Sequence, residues 1–415
     1  EIQTLPVKCV HLFGNVLNWL TNHGGSTALL CTATQPLLGE AGLANFPENK
    51  RKRIANYGLL KLADRAEIMG NTQELDRVEI SFQEKIGGWS VEEAGAFLLN
   101  KFRCHSSCLF IVNTKKWAQD LYRYCKDNGV SSAVLFHLST HQCAAHRRDI
   151  LKAIKDRLKN GNPTICISTQ LIEAGVDISM ACVIRALAGL DSLAQAAGRC
   201  NRHSEMEGKG QVYILNLQEP DFQKFLPDIA CGKNNAERVL REFSSQEILQ
   251  PAAMQQFFEY YFYNRSDEMA YPLKKSSSGS LLDWLSDNAL NVYSPKNSQR
   301  SKPIPLLMQY FKSAGRSFQV IDAPTHAVIV PYGEGKKLIS ELCGAWNPQE
   351  MHQILQKAQR YSVNMAPNLW EKLKKEQIMQ EIQIDLGIYY LDERYYSDAY
   401  GLSLDEIGEM NCHIY

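Results

Sequence analysis

The chain of 415 residues is 45% hydrophobic and 22% charged, a balance that fits two or three globular domains and excludes a disordered tail. Lysine plus arginine and aspartate plus glutamate each number 45, so the formal net charge is zero and any nucleic-acid site is a local groove, not a global basic field. Twelve cysteines scattered among apolar neighbours read as thiols of a reducing cytoplasm, and no run is long and apolar enough to span a membrane.

A helix is expected over about residues 10–20, with Val10, Phe13, Val16, Leu17 and Leu20 on one stripe and Gly24-Gly25 closing it. An apolar strand over Ala28–Cys31 follows, ending at Thr32-Ala33-Thr34; Lys50–Arg53 reads as an exposed basic face. From Arg77 onward, strand candidates run Val78–Phe82, Leu109–Val112, Ala133–Phe136, Thr164–Ser168, Cys182–Leu187 and Val212–Leu215, with helical patterns between them. Such alternation predicts an α/β fold with a parallel sheet, whose ligands sit at the carboxyl ends of the strands. Asn113-Thr114, His137 and Ser168-Thr169 fall at those ends.

His146–Lys159 reads as an amphipathic helix with Ile150, Leu151, Ile154 and Leu158 inward. After about Ser244 the α/β rhythm stops. The aromatic stretch Met254–Tyr263 reads as helix core, and Lys274–Ser280 as a loop. A strand over Ala327–Val330, helices near Pro348–Arg360 and Asn368–Glu381, and a closing segment from Gly387 complete the chain. His137, His141, His146 and the pair Cys104 and Cys108 lack a second short-spaced cysteine pair, so no metal site is assigned.

The most informative stretch is Ser168–Arg202. Its first part is a buried strand running into a polar turn, where backbone amides and the Thr169 hydroxyl can meet a phosphate. Its second part opens a helix at Asp191, read as the N-cap, and places Gln195, Arg199 and Arg202 on one face at i, i+4 and i+7. Gly198 lowers helix propensity there by about 1 kcal/mol with no packing gain visible in the sequence. Two guanidinium forks with nothing bulky beside them suit phosphate oxygens.

The wording Gln170-Leu-Ile-Glu-Ala-Gly-Val-Asp-Ile-Ser179 and Gln195-Ala-Ala-Gly-Arg-Cys-Asn-Arg-His203 resembles motifs V and VI of a superfamily-two helicase. It is most similar to the CRISPR-associated helicase–nuclease of type I systems, in the form of subtype I-C, and the closing segment from Gly387 resembles that family's C-terminal hairpin. The resemblance implies part of a first RecA-like domain over 1–75, a second over 76–245, a linker region over 246–300 and a capping domain over 301–415. Glu1 resembles the carboxylate of motif II, which activates the attacking water. Without a methionine at that position, the chain is expected to be the latter part of a longer polypeptide.

By the same resemblance, Arg199 and Arg202 serve ATP hydrolysis by reaching the terminal phosphate, and Gly175, Asp177 and Gln195 serve the nucleotide. Thr32, Thr34, Asn113, Thr114, His137, Ser168 and Thr169 contact the nucleic-acid strand. The implied cofactors are ATP and Mg2+, with a divalent metal in an upstream nuclease domain. Implied partners are single-stranded DNA, a CRISPR effector (surveillance) complex with guide RNA, and the upstream first RecA-like and nuclease domains. The expected activity is ATP-driven translocation on single-stranded DNA during antiviral defence. No Gly-x-x-x-x-Gly-Lys-Ser/Thr phosphate loop stands in the 415 residues, so this chain alone is expected to be inactive. Two other readings are a non-catalytic module that binds the strand or the effector complex, and a superfamily-two helicase outside CRISPR systems.

Overall fold

A computed structural model of the protein describes residues 5–28, 77–220, 222–223, 226–273, 279–285, 310–320, 325–383 and 386–403. Glu1, the strand expected to end at Cys31, Thr32, Thr34 and Lys50–Arg53 lie outside the described residues. The chain divides into two compact units: residues 1–75, 189–194 and 226–322 form one, and 76–188, 195–225 and 323–415 the other.

In the first unit, helix α1 covers Val10–Asn22. Val10 and Leu17 are buried, but Val16, expected on the apolar stripe, is 55% exposed.

The second unit opens with strand β1 (Val78–Gln83), followed by helix α2 (Val91–Cys104). Ser90 caps α2: its hydroxyl accepts from the Glu93 amide at 3.3 Å while the Glu93 carboxylate accepts from the Ser90 amide at 3.0 Å. That reciprocal pair satisfies two of the amides a helix start leaves orphaned. Strand β2 (Ser107–Val112), helix α3 (Lys115–Asp127), strand β3 (Leu135–Leu138), helix α4 (Ala144–Lys159) and strand β4 (Thr164–Thr169) follow. Then come β5 (Cys182–Ala186) and β6 (Gly210–Leu215); helix α5 (Leu190–Ala197) lies between them in sequence, its residues through Ala194 counted with the first unit and those from Gln195 with the second.

These six strands form one sheet in the order β1-β6-β5-β2-β4-β3, and every neighbouring pair is parallel. Parallel sheets covered on both faces need near-continuous apolar strands. Accordingly all six residues of β2 and all five of β5 are buried. From β2 the chain runs out to the edge strand β3 and returns to β4 beside β2, then crosses to β5 and β6 on the other side. The carboxyl ends of β4, β2 and β5 therefore border the crevice where open α/β sheets hold ligands.

Back in the first unit, helices α6 (Pro227–Glu242), α7 (Pro251–Asn264), α8 (Leu281–Leu285) and α9 (Phe311–Ser317) occupy the stretch where the strand–helix alternation has ended. On α7, Phe257, Phe258 and Phe262 are buried, so the aromatic stretch is core over most of its length, while Tyr263 is 53% exposed. Cys9, Tyr271, Leu281, Trp284 and Ala314 pack together in a separate cluster.

The rest of the second unit carries strand β7 (His326–Ile329), helices α10 (Gly335–Gly344) and α11 (Pro348–Ala358), strand β8 (Ser362–Met365), helix α12 (Pro367–Lys375) and strands β9 (Met379–Glu381) and β10 (Tyr389–Leu391). The four strands order as β8-β7-β10-β9. The helix expected through Glu381 stops at Lys375. Gln377 takes φ of 55°, its amide donates to the Lys374 carbonyl and the Ile378 amide to the Leu373 carbonyl, a left-handed close that turns the chain into β9.

Two short strands, β11 (Tyr396–Ser397) and β12 (Gly401–Leu402), fasten this segment to the turn before α4. Gly401 is required there: with φ of 77°, its backbone passes so near the His141 carbonyl that a Cβ would stand 2.3 Å from that oxygen. The Leu402 amide donates to the same carbonyl at 2.9 Å. Beside it the Tyr396 hydroxyl accepts from the Cys143 amide at 3.1 Å and lies 3.0 Å from His146 Nδ1, while His146 Nε2 lies 3.0 Å from the Asp398 carbonyl. A carbonyl only accepts, so Nε2 carries the proton and Nδ1 accepts from the tyrosine. Tyr396→Phe leaves a buried amide and a ring nitrogen unpaired. The expected cost is about 1–3 kcal/mol, read as a lower urea midpoint at constant slope; an unchanged midpoint would show the hydroxyl to be idle.

Among the described residues no helix is long and apolar enough to cross a membrane, and the described cysteines are free thiols, buried except for Cys104, Cys231 and Cys343.

Candidate functional site

The carboxyl ends of β2 and β4 carry Asn113, Thr114, Ser168 and Thr169. Thr114 caps α3, its hydroxyl accepting from the Trp117 amide at 3.2 Å, which leaves the O–H as a donor. Ser168 is buried, with its hydroxyl given to the Thr169 carbonyl at 2.8 Å, whereas Thr169 is half-buried at the mouth of the turn. Thr114 and Thr169 are thus more accessible than Ser168. Gly175 holds φ of 70° with nothing within 4 Å of where a Cβ would be, so the turn offers bare backbone.

Helix α5 differs from the expected comb. It begins at Leu190, placing Asp191 inside its first turn instead of at the cap, and it ends at Ala197. Gln195 is on it, half-buried, but Arg199 and Arg202 lie beyond it. The helix stops just before Gly198, and Cys200 then bridges to Met180: the Met180 amide donates to the Arg199 carbonyl and the Asn201 amide to the Met180 carbonyl, both at 2.9 Å. Asn201 completes the exit with φ of 44°, a conformation asparagine tolerates, and is itself buried. Its side-chain amide donates to the Arg77 and Gly208 carbonyls at 3.3 and 3.2 Å.

The two arginines are used differently. Arg199 is buried, its Nε donating to the Ile172 carbonyl at 3.0 Å and its Nη2 to the Glu173 carbonyl. Arg202 is 38% exposed, with Nε 2.8 Å from Asp177 Oδ1, and its amide donates to Ser179 Oγ at 2.9 Å. Asp177 is 62% exposed, with His203 Nε2 at 3.6 Å. Motifs V and VI therefore form one locked pair of turns, held from inside by Arg199 and presenting Arg202 outward.

Asn113 is turned inward. Its Nδ2 donates to the Leu187 carbonyl at 3.0 Å and to the Glu219 carboxylate at 3.0 and 3.2 Å, and its Oδ1 accepts from Arg185 Nη1 at 2.7 Å. Arg185 is wholly buried in β5, with Nε 2.8 Å from Glu173 Oε1. Sequence reading passed over Arg185, Glu173, Glu219 and Asn201. An arginine inside Cys182-Val-Ile-Arg-Ala-Leu187 did carry a signal, because a charge in a buried strand demands a buried partner. Nothing local marks Glu219 as part of that partnership.

His137 is also buried, between Tyr122 and Tyr400 with ring centroids 6.1 and 6.3 Å away, and its ring nitrogens have no hydrogen-bond partner among the described residues. Burial, with His146 nearby, pushes it from near 6.5 down to about 3. Between those values the unfolded chain binds more protons, so the stability from neutral burial is complete above pH 6.5 and declines as pH falls toward 3, at about 1.4 kcal/mol per pH unit. His137→Leu is expected to flatten the urea midpoint between pH 6.5 and 4 by that slope; an unaltered profile would assign the pH dependence elsewhere.

Comparison with known proteins agrees with this architecture. Residues 104–205 match the family model described as CRISPR-associated nuclease/helicase Cas3, C-terminal. The CRISPR-associated nuclease/helicase Cas3 of Haloferax volcanii is 49% identical over 76 residues, which are 18% of this chain and 8% of that protein. A Methanocaldococcus jannaschii protein given the same name provisionally is 26% identical over 132 residues, 31% of this chain and 17% of its own. The matched segments thus span less than a fifth of these relatives. The crystal structure of T. fusca Cas3 with AMPPNP aligns over 83% of this chain and 42% of its own, at 13% identity and a TM-score of 0.50, a likeness of fold. The six-stranded parallel sheet belongs to the α/β fold shared with that structure.

Proposed function

Starting from a chain that belongs, through residues 104–205, to the family of CRISPR-associated Cas3 helicases, we propose that it is the helicase portion of a type I CRISPR interference protein. In the intact polypeptide it uses ATP and Mg2+ to move along single-stranded DNA, delivered by a guide-RNA surveillance complex, and feeds that strand to a nuclease domain. The observation carrying this reading is the locked pair of motif V and VI turns, with Arg199 tied to the Ile172 and Glu173 carbonyls and Arg202 left outward on Asp177.

The residues fit a nucleotide phosphate. Arg202 keeps a partly exposed guanidinium on Asp177, the turn at Gly175 offers bare backbone, and Asp177 offers a carboxylate for ribose hydroxyls. Arg202 would stabilise the charge that grows on the transferring phosphoryl group, because preorganised donors need no rearrangement at the moment of reaction. In this reading Glu1 orients the attacking water, and bound magnesium neutralises phosphate charge. Thr114 and Thr169 would donate to the strand backbone, contacts that carry no base sequence and so suit a translocase.

The test is ATP hydrolysis by the full-length gene product with and without single-stranded DNA. Stimulation by the strand is expected. Its absence would leave the chain as a non-catalytic module that binds the strand or the surveillance complex.

A further inference from the structure

Arg185 has no exposed surface, and a guanidinium in a strand core is costly unless its donors are met. It reaches three elements at once. Its Nε faces Glu173 in the turn after β4, and its Nη1 donates both to Asn113 Oδ1 at the end of β2 and to the Ala186 carbonyl, at 2.7 and 2.8 Å. Asn113 extends the chain of contacts to Glu219, just past β6. Apolar residues of equal volume would fill this core at least as well. What a planar fork adds is a fixed geometry among the elements it joins.

Glu173 is gripped twice. Its carboxylate lies on Arg185, and its main-chain carbonyl accepts from Arg199. Arg199 is followed by Cys200, bridged to Met180, and then by Arg202. A shift of the turn that begins at Thr169 therefore reaches both arginines through one residue.

We propose that Arg185 is a positioning residue, and that its pair with Glu173 couples strand contact at the turn after β4 to the placement of Arg199 and Arg202. This rests on the translocase reading and deepens it. Asn113 then acts as a strut within the device and not as a strand contact, since its amide and its carbonyl oxygen are both engaged inside the unit.

The experiment measures hydrolysis by the full-length gene product against ATP and against an oligothymidylate, and binding of the same labelled oligonucleotide, in wild type and Arg185→Lys. Lysine keeps the charge but cannot span Glu173 and Asn113 together. The KM for ATP, the strand-free rate and the oligonucleotide Kd are expected to stay within about twofold, while the strand-stimulated kcat falls about tenfold. Undiminished stimulation overturns the proposal, as does a fall of strand-free and stimulated rates by the same factor, which marks a purely structural role. A wild type that no strand stimulates overturns the translocase reading itself. If Arg185→Lys does not fold, Glu173→Gln decides: it removes the charge from the Arg185 pair and leaves the Glu173 main-chain carbonyl to Arg199. Its stimulation is expected to fall about threefold, and retained stimulation refutes the coupling.

Discussion

Under the proposed function, Arg202→Ala is expected to lower strand-stimulated ATP hydrolysis by the full-length gene product by about 10³-fold or more, the scale on which an arginine supplied to a transferring phosphoryl group acts. The same substitution leaves stability almost untouched. Its partner Asp177 is 62% exposed, and an ion pair so open to water contributes about 0–1 kcal/mol. Arg199→Ala separates from it on the second measure. It strips the Ile172 and Glu173 carbonyls of a buried donor, and unmet buried acceptors cost about 1–3 kcal/mol. Kinetics and urea melts on both variants distinguish an arginine of the chemistry from one that holds the turn. Arg202→Ala turning over at more than a tenth of the wild-type rate would remove it from the reaction.

Arg185→Met is the largest expected stability loss, about 3–5 kcal/mol for the unit of residues 76–188, 195–225 and 323–415. The removed guanidinium leaves the Glu173 carboxylate facing a low-dielectric interior with its 2.8 Å partner gone, and Asn113 Oδ1 loses its donor. Adding Glu173→Leu removes the stranded charge and is expected to restore most of the loss, because apolar replacement of a whole buried ion pair is often neutral. Urea midpoints of the single and double variants give the answer. A single variant within about 1 kcal/mol of wild type would mean that water reaches Glu173 and that the pair is not sealed.

Much of this protein follows from local pattern. The apolar runs from Val78, Leu109, Thr164, Cys182 and Val212 are strands because a sheet covered on both faces needs continuous apolar residues. Their alternation with amphipathic helices determines that neighbours run parallel, and hence that Thr114, Thr169 and Gly175 fall at the ligand end. The tertiary structure decided the rest, through contacts between residues distant in the chain. Helix α5 ends at Ala197, just before Gly198, and Cys200 pairs with Met180, a contact that the pattern of residues 195–202 does not encode. Asn113 looked like a surface amide at a strand end until Arg185 and Glu219, 72 and 106 residues on, claimed both ends of it. His146 on α4 finds Tyr396 after 250 residues, so the closing segment's place in this unit depends on a hydroxyl that no periodicity predicts. Periodicity records which side chains leave water, whereas partnership among buried polar groups is settled only when the chain closes and each donor must find its acceptor.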